Sequence, residues 1–221
     1  MRLSIIAATG GIGRHLLRQA LEAGHEVTAV VRSPEKITGP VRAVRADLAH
    51  PDVPALIEAV KGADAILSAL GARTRAEEGV AWRGTSALVD AARATKVRRL
   101  IVVSAAPLGT VPSPARPHPP RRDPGDGFFM RHLGAPFAKT MFRSHYEDLA
   151  RMEDVVRDSG LDWTISRPPK LTDGPLTRHY RTAIDRNIRG GFSVSRADVA
   201  DQMLACLTRP ETIGHTIGIA Q

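Results

Sequence analysis

Three glycines near the start of the chain have the spacing and context of an anion-binding turn. Gly10, Gly11 and Gly13 stand between an apolar run at residues 3–7 and an amphipathic segment at residues 12–23. Glycine lets a backbone turn tightly and approach a ligand, and the following helix offers unpaired N–H groups to a negative charge. A strand, a glycine turn and a helix in this order predict a site for the diphosphate of a dinucleotide. A plain tight turn is the alternative.

A basic residue follows the second apolar run, at the position where dinucleotide-binding folds distinguish NAD from NADP. Residues 26–31 predict a strand, and Arg32 and Ser33 come directly after it. Folds that prefer NAD place an Asp or Glu here, because a carboxylate accepts hydrogen bonds from ribose hydroxyls. A guanidinium instead binds the additional 2′-phosphate of NADP. Since Glu35 is the one acid nearby in the sequence, we expect NADP(H); the alternative for Arg32 is a solvated surface residue.

Three further side chains are candidates for catalysis. Ser104 ends the fifth apolar run, where such a sheet would present a hydroxyl beside the nicotinamide ring. Lys170 follows two prolines and could face the cofactor or an anionic substrate, and Tyr146 lies with His145 in a helical stretch that could point into the cleft. Each has a structural alternative: a strand-end hydrogen bond, a solvated lysine and a packed aromatic ring, respectively. The remaining histidines have no spacing that predicts a metal site.

Short apolar runs alternate with amphipathic ones through the first two-thirds of the chain. The alternation is typical of a parallel sheet with crossover helices, and it predicts one α/β domain over residues 1–221 with a Rossmann-type doubly wound sheet. Strands are predicted at residues 3–7, 26–31, 41–45, 65–70, 100–103, 163–166 and 216–219. Helices are predicted at residues 12–23, 53–60, 77–94 and 137–158, and Ser195 caps a last one.

The stretch at residues 107–127 interrupts this alternation. It contains seven prolines and three glycines, so we expect no regular element there. It follows Ser104, and loops at the carboxyl ends of parallel strands bind ligands in such folds. We therefore expect a lid over the acceptor, with Arg116, Arg121 and Arg122 available to an anionic group; a disordered insertion is the alternative. Residues 165–221 are expected to complete a substrate cleft.

Charge and composition argue against several classes of protein. The chain carries 31 Lys and Arg against 23 Asp and Glu, a net charge of +8, but the basic residues are scattered and form no stripe or recognisable module. We therefore expect a small-molecule substrate and no nucleic-acid partner. No apolar run approaches the roughly 20 residues that span a membrane, and no signal peptide is predicted. With a single cysteine, Cys206, a cytoplasmic location is expected.

The segments around the candidate residues resemble a known family. Residues 24–32, Asp47, residues 68–71, residues 102–105 and the Arg167-Pro168 pair resemble the atypical short-chain dehydrogenases/reductases of the NmrA-like, NAD(P)H-binding family. The region from Pro168 to the last helix is most similar to its flavin and biliverdin reductase branch. The resemblance implies that NADP(H) contacts Thr9, Gly10, Gly11, Ile12, Gly13, Arg32, Ser33, Asp47, Leu48, Ala69, Leu70, Gly71, Ser104 and Pro168.

Two departures from the family pattern bear on the reaction. Ala7 replaces the first glycine of the usual motif, which is tolerable if this residue keeps ordinary dihedral angles. The tyrosine–lysine pair of standard short-chain reductases is absent, because Ala150 stands four residues after Tyr146 and Ile184 four residues after Tyr180. A flavin, quinone or tetrapyrrole accepts hydride at an exposed ring atom, and its protons can come from solvent.

The resemblance therefore implies an NADPH-dependent reductase of a flat, conjugated acceptor, acting as a monomer. Two alternatives stay open. One is an NmrA-like sensor that binds NADP(H) without turnover, and the other is a reductase or epimerase of a single metabolite.

Overall fold

The computed structural model describes residues 1–72, 74–127 and 141–221. The strands in these ranges are β1 (Arg2–Ile6), β2 (Glu26–Val31), β3 (Arg42–Arg45), β4 (Ala65–Ser68), β5 (Arg99–Val103), β6 (Asp162–Arg167), β7 (Lys170–Thr172), β8 (Arg181–Ile184), β9 (Ser193–Ser195) and β10 (His215–Ala220). The α-helices are α1 (Gly13–Glu22), α2 (Val53–Val60), α3 (Val80–Thr95), α4 (Arg143–Arg157) and α5 (Arg196–Ala205). None of the described helices is both long enough and apolar enough to cross a membrane.

The main sheet has the strand order β3-β2-β1-β4-β5-β6-β10-β8. Every neighbouring pair in it is parallel except β10 and β8, which pair antiparallel at one edge. The chain reverses its direction of travel across the sheet between β1 and β4. Such a switch point leaves a crevice outside the carboxyl ends of the strands, where these folds bind ligands. The predicted doubly wound α/β fold is confirmed.

Helices cover both faces of the sheet, and alternate side chains of each strand enter two separate cores. On β5, Leu100 and Val102 pack on the side of α2, α3 and α4, whereas Ile101 and Val103 pack on the side of α1 and α5. All four are buried. A strand that is covered on both faces reads as a continuous apolar run, because successive side chains point in opposite directions. This explains why the central strands are visible in the sequence.

The predicted elements are found with shifts of one to three residues at their ends, and three further strands appear. The strands β7 and β9 pair with each other and have three residues each. Three residues are too few to show a strand-like alternation in the sequence. The edge strand β8 is largely exposed and carries no apolar alternation. The predicted helix at residues 137–158 is described from Arg143 onward, and residues 137–140 lie outside the described ranges.

The proline-rich stretch contains more structure than its composition predicts. A 3₁₀ helix spans Ala106–Thr110, which corrects the expectation that no regular element occurs there. Pro107 lies in its first turn, where a missing N–H costs no hydrogen bond. Beyond it the chain is attached to α4, since the Ser113 hydroxyl and the Ala115 amide both donate to the Asp154 carboxylate, at 2.8 and 3.0 Å.

The turn after β1 holds a residue in a strained conformation. Ala7 has a φ of 57°, in the left-handed region, so the condition under which alanine would be tolerated here, ordinary dihedral angles, is not met. Its N–H donates to the Val30 carbonyl at 2.9 Å, and its carbonyl accepts from the Gly10 N–H at 2.8 Å. A Cβ on Gly13 would lie 2.1 Å from that same carbonyl oxygen, so α1 can start this close to β1 only at a glycine.

A buried carboxylate joins α4 to the central sheet. Glu153 is fully buried, and its Oε1 accepts from the Ser104 hydroxyl at 2.7 Å and from Arg167 Nε at 2.9 Å. Its Oε2 accepts from a second nitrogen of Arg167 and from Arg157 Nη2 at 3.0 Å. A charge can be buried at tolerable cost only when it is paired and hydrogen-bonded. The cluster therefore fixes the ends of β5 and β6 relative to α4.

The same contacts determine how Glu153 titrates. Burial alone would raise the pKa of its carboxyl group, but the charges and hydrogen bonds of Arg167, followed by the Arg157 charge and the Ser104 hydrogen bond, lower that pKa from 4.5 to about 2. Because the folded-state pKa is depressed, the stabilisation is present above pH 4.5 and is lost as the pH falls through 2.

We predict that Ala7→Gly stabilises the fold. A left-handed conformation costs a residue with a Cβ about 1–2 kcal/mol, and glycine avoids this cost. Part of the gain in stability is lost because glycine raises the conformational entropy of the unfolded chain. The free energy of unfolding should rise by about 0.5–1 kcal/mol in urea denaturation. Ala23→Gly is the control, since Ala23 is exposed with a φ of −82° and should lose stability instead. A lower free energy of unfolding in both variants would contradict the strain at Ala7.

We predict that Glu153→Gln lowers the free energy of unfolding at pH 7 by about 3–5 kcal/mol, because it leaves buried arginines uncompensated. The variant should also lose the acid-dependent destabilisation of the unaltered protein between pH 4.5 and about 2. Glu147→Gln on the same helix removes only an exposed pair with Arg143 and should change stability by less than about 0.5 kcal/mol. Equal effects of the two substitutions in denaturation experiments would refute the structural role of Glu153.

Candidate functional site

Two adjoining cavities form one continuous groove over the switch point of the sheet. They have empty volumes of about 540 and 760 Å³ and share Ala7, Leu70 and Gly71 as walls. The first cavity lies at the ends of β2 and β3, and the second extends across the ends of β4 and β5 towards α4. The two cavities together are called the groove below. Its position is the one where doubly wound folds bind a dinucleotide.

The glycine turn lies at the middle of the groove. Gly10, Gly11 and Ile12 line it, while Gly13 lies behind them at the close approach of α1 to β1. No side chain caps α1 at Ile12, and the Arg14, His15 and Leu16 amides already donate to backbone carbonyls, so the amides without a partner among the described residues are those of Gly11, Ile12 and Gly13. Amides and a helix N-terminus together attract an anion. The turn therefore has the geometry of a diphosphate site.

One end of the groove carries a paired arginine. Arg32 lines the wall, and its Nη1 lies 2.7 Å from an oxygen of Glu77, with side chains 53% and 20% exposed. Glu77 comes from a 3₁₀ helix, Arg75–Glu77, that follows β4. Glu35 is the one acid near Arg32 in sequence, but it lies 3.5 Å from Arg45, and the acid that contacts Arg32 is Glu77, which is 45 residues distant. Ser33 is not among the lining residues.

Asp47 and Leu48 line the same end of the groove from the turn after β3. An Asp47 oxygen accepts from the Ala49 N–H at 3.0 Å, and this hydrogen bond lowers the pKa of the carboxyl group against the opposing effect of burial. The Asp47 side chain therefore shapes its own turn while it contributes negative charge to the groove.

The other end of the groove combines apolar walls with three polar side chains. Ser104, His145 and Arg196 line it, together with Leu149 and Leu171. The Ser104 hydroxyl donates to Glu153, so its proton is already engaged in the buried cluster. Burial lowers the pKa of His145 against the opposing charge of Asp148, which favours a neutral imidazole. Arg196 crosses over Gly11, whose added Cβ would lie 2.8 Å from the guanidinium Nε.

Two of the three predicted catalytic residues do not line the groove. Tyr146 packs against the core beside Phe142, and burial raises the pKa of its hydroxyl. Lys170 is exposed on β7, and the next residue, Leu171, faces the groove, so the alternation of the strand directs Lys170 elsewhere. Of the three, Ser104 lines the groove.

Most of the predicted cofactor residues are brought together along the groove. They are Thr9, Gly10, Gly11, Ile12, Arg32, Asp47, Leu48, Ala69, Leu70, Gly71 and Ser104. Pro168 is buried and lies off the groove, and its carbonyl accepts from the Ala106 N–H at 2.9 Å. Sequence reasoning missed Glu77, Leu171 and Arg196, and it treated His145 only as a companion of Tyr146. The one local signal for Arg196 is its place directly after the helix cap Ser195, whose hydroxyl accepts from the Asp198 N–H.

The described part of the proline-rich stretch does not cover the groove. Ser113 and Ala115 donate to Asp154, Arg116 faces Glu153, and Arg121 and Arg122 are exposed and do not line the groove. The expected lid over the acceptor is corrected accordingly: residues 107–127 lie along α4 and β6. The reason is that Ser113 and Ala115 bind Asp154 on α4, and a composition of prolines and glycines does not reveal these contacts.

Comparison with known proteins agrees with this geometry. A family model described as NAD(P)H-binding matches residues 7–210. The uncharacterized protein YwnB of Bacillus subtilis is 28% identical over 218 residues, which cover 96% of this chain and 94% of that protein.

Solved structures share the fold over the whole chain. A Streptococcus pneumoniae protein, whose name assigns it to the NADH-flavin reductases, is 25% identical with a TM-score of 0.76 and covers 100% of this chain and 99% of its own. A short-chain dehydrogenase/reductase of Veillonella parvula, solved in complex with NADP, is 19% identical with a TM-score of 0.77, covering 100% and 94% of the two chains. At that identity the likeness concerns the fold alone. The match over residues 7–210 and the shared architecture show that the chain belongs to the NAD(P)H-binding family of Rossmann-fold proteins.

Proposed function

We propose that the chain is a reductase that binds NADPH in the groove and passes hydride to a flat, conjugated acceptor such as a flavin, quinone or tetrapyrrole. The observation that carries the proposal is the continuous groove with a diphosphate turn in its middle, an arginine at one end and apolar walls at the other. When bound, NADPH would supply the hydride from its nicotinamide ring. The residues of the chain then have to bind the cofactor, orient its ring towards the acceptor and shield both from water.

The described residues fit a dinucleotide in three respects. The first turn of α1 is uncapped, Gly13 permits the close approach of helix and strand, and the groove is long enough to run from Arg32 to Ser104. Arg196 lies over Gly11, where its Nη1 pairs with Asp173 at 2.9 Å, and a diphosphate at the turn would compete with that carboxylate. These features support a diphosphate held by backbone amides with arginines on either side.

Arg32 supports a preference for NADPH despite its pair with Glu77. An ion pair between partly exposed side chains contributes about 0–1 kcal/mol. Hydrogen bonds from a guanidinium to a phosphate contribute about 1.5–3 kcal/mol. A 2′-phosphate would therefore replace Glu77 at Arg32, whereas a ribose hydroxyl of NADH would not.

The acceptor class is inferred from the tyrosine–lysine pair, which the described residues of the groove do not include, and from His145, whose lowered pKa favours a neutral imidazole. Tyr146 packs against the core, and the Tyr180 hydroxyl donates to Asp201 at 2.6 Å. Neither tyrosine is followed by a lysine at the usual spacing. A carbonyl substrate needs such an acid, but a conjugated ring accepts hydride and takes its proton from water. The apolar side chains of Leu149 and Leu171 suit a flat ring at this end.

A second candidate function is a sensor that binds NADPH without turnover. The observation in its favour is the Ser104 hydroxyl, which is committed to Glu153 and so cannot serve as a free acid in the groove. The acceptor experiment below separates the two functions.

The cofactor prediction concerns both members of the ion pair. Arg32→Ala should weaken NADPH binding by roughly 10-fold to 100-fold and leave NADH binding nearly unchanged. Glu77→Gln should strengthen NADPH binding, because it removes the competing carboxylate. Calorimetric titration of both cofactors measures these constants, with Glu35→Gln as a control outside the groove. Equal dissociation constants for NADPH and NADH in the unaltered protein would refute the preference.

The acceptor prediction concerns turnover. The unaltered protein should oxidise NADPH in the presence of at least one of FMN, a simple naphthoquinone and biliverdin, as followed by nicotinamide absorbance. Gly10→Val should lose both cofactor binding and turnover while it stays folded by circular dichroism, because a branched side chain would occupy the diphosphate position. Tight NADPH binding without oxidation by any acceptor would reject the reductase and favour the sensor.

A further inference from the structure

The small two-stranded sheet places an ion pair beside the glycine turn. The strands β7 and β9 run parallel, and Thr172 at the end of β7 pairs with Ser195 at the end of β9. The next residue after each strand is charged: Asp173 follows β7, and Arg196 follows β9. Because the two strands end in register, these side chains meet, and Arg196 Nη1 donates to an Asp173 oxygen at 2.9 Å. Strand pairing thus determines where Arg196 stands.

The Arg196 side chain crosses the glycine turn. A Cβ on Gly11 would lie 2.8 Å from Arg196 Nε and 2.9 Å from its Cδ, so the crossing needs a residue without a side chain. The Gly11 amide is also one of the turn amides that have no partner among the described residues. A backbone donor and a guanidinium therefore lie close together at this point, which suits an oxyanion.

Arg196 is the one fully charged side chain among the described residues that line this half of the groove. The other residues around the glycine turn and the apolar end are uncharged, since burial lowers the pKa of His145 and favours its neutral form. The acids Asp47 and Glu77 line the other cavity of the groove. An anion at the turn would therefore meet one side-chain charge, and that charge is positive.

Two donors of Arg196 are without a partner. Its hydrogen bond to Asp173 uses Nη1, whereas Nε and Nη2 have no partner among the described residues. Neither nitrogen is buried, because the buried donors that lack a partner in the described chain belong to other residues. The Arg196 side chain is 28% exposed and lines the groove, so a ligand there can reach it.

Asp173 is an exposed carboxylate that two arginines share. Its side chain is 72% exposed, and it also lies 3.4 Å from Nη2 of Arg14 in the first turn of α1. Of the described acids, Asp173 alone forms an ion pair with Arg196. Exposed ion pairs contribute little to stability, whereas a guanidinium binds phosphate oxygens strongly. Arg14 offers Asp173 a second partner when Arg196 turns to another anion.

We propose that Arg196 exchanges Asp173 for the diphosphate of the bound dinucleotide, so that Asp173 limits the affinity of the groove for NADPH and NADH alike. Asp173 holds Arg196 in the unliganded protein and stays with Arg14 in the complex. The diphosphate is common to both cofactors, so this pair, unlike Arg32, does not distinguish them. The inference rests on the proposed position of the cofactor in the groove, and it applies equally to a reductase and to a sensor.

Calorimetric titration of NADPH and NADH tests the exchange, at a low and constant ionic strength because salt screens exposed charges. Arg196→Gln should weaken the binding of both cofactors by the same factor, roughly 10-fold. Arg196→Lys keeps the charge but loses the planar donors, so its affinities should fall between those of Arg196→Gln and the unaltered protein. Asp173→Asn should strengthen the binding of both cofactors by about 2-fold to 5-fold, because the competing carboxylate is gone.

The double variant separates an exchange of partners from a general effect of charge. If Asp173 acts through Arg196, Asp173→Asn should change neither affinity in the Arg196→Gln background. A carboxylate that merely repels the dinucleotide would give the same gain in both backgrounds. Glu22→Gln is the matched control, because it removes the carboxylate of an exposed pair with Arg18, 2.8 Å apart on α1. It should leave both dissociation constants within about 2-fold of the unaltered protein.

Circular dichroism establishes that each variant is folded. A loss in Arg196→Gln and a gain in Asp173→Asn that disappears in the double variant support the exchange. Unchanged affinities in Arg196→Gln, no gain in Asp173→Asn, an equal gain in both backgrounds or effects confined to NADPH would overturn it and leave the proposed function intact. If the unaltered protein binds neither cofactor, the exchange and the proposed function both fail.

Discussion

The buried pairing of Glu153 with Arg167 and Arg157 is the constraint on which the arrangement of this molecule depends. A carboxylate without solvent tolerates only partners of matching charge and geometry. Glu153 therefore fixes α4 against the ends of β5 and β6, and through Ser104 it fixes the floor of the groove. Arg116 approaches the same carboxylate to 3.7 Å, so the proline-rich stretch is held at this cluster as well.

Engaging Ser104 in this cluster separates binding from proton transfer. Its hydroxyl donates to a carboxylate whose pKa is about 2, so the oxygen facing the groove has no proton to give at neutral pH. The groups suited to an anion lie instead at the glycine turn and at Arg32. In the proposed reaction the groove holds and orients the dinucleotide, and the ring chemistry of cofactor and acceptor decides which reaction follows.

How much of this the sequence could predict depends on the distance over which each feature is encoded. The strands β1 and β5, the glycine turn and Arg32 are local, because apolar runs, glycine spacing and a strand end are all read within about ten residues. Glu77 contacts Arg32 across 45 residues, and Arg196 reaches Gly11 from α5. No local sequence pattern predicts contacts between residues so far apart in the chain. Tyr146 and His145 are neighbours on one helix, and only packing decides which of them faces the groove.

Ala7 shows the same limit at a single residue. The sequence shows alanine at the first glycine position of the motif that the chain resembles, but the left-handed φ of 57° follows from three-dimensional contacts. Its N–H is held by Val30 and its carbonyl by Gly10, while Gly13 presses α1 against that carbonyl. Backbone strain persists where surrounding contacts over-determine the conformation, and such positions cluster at ligand sites. Ala7 lines both cavities of the groove, so the strained residue stands at the candidate site itself.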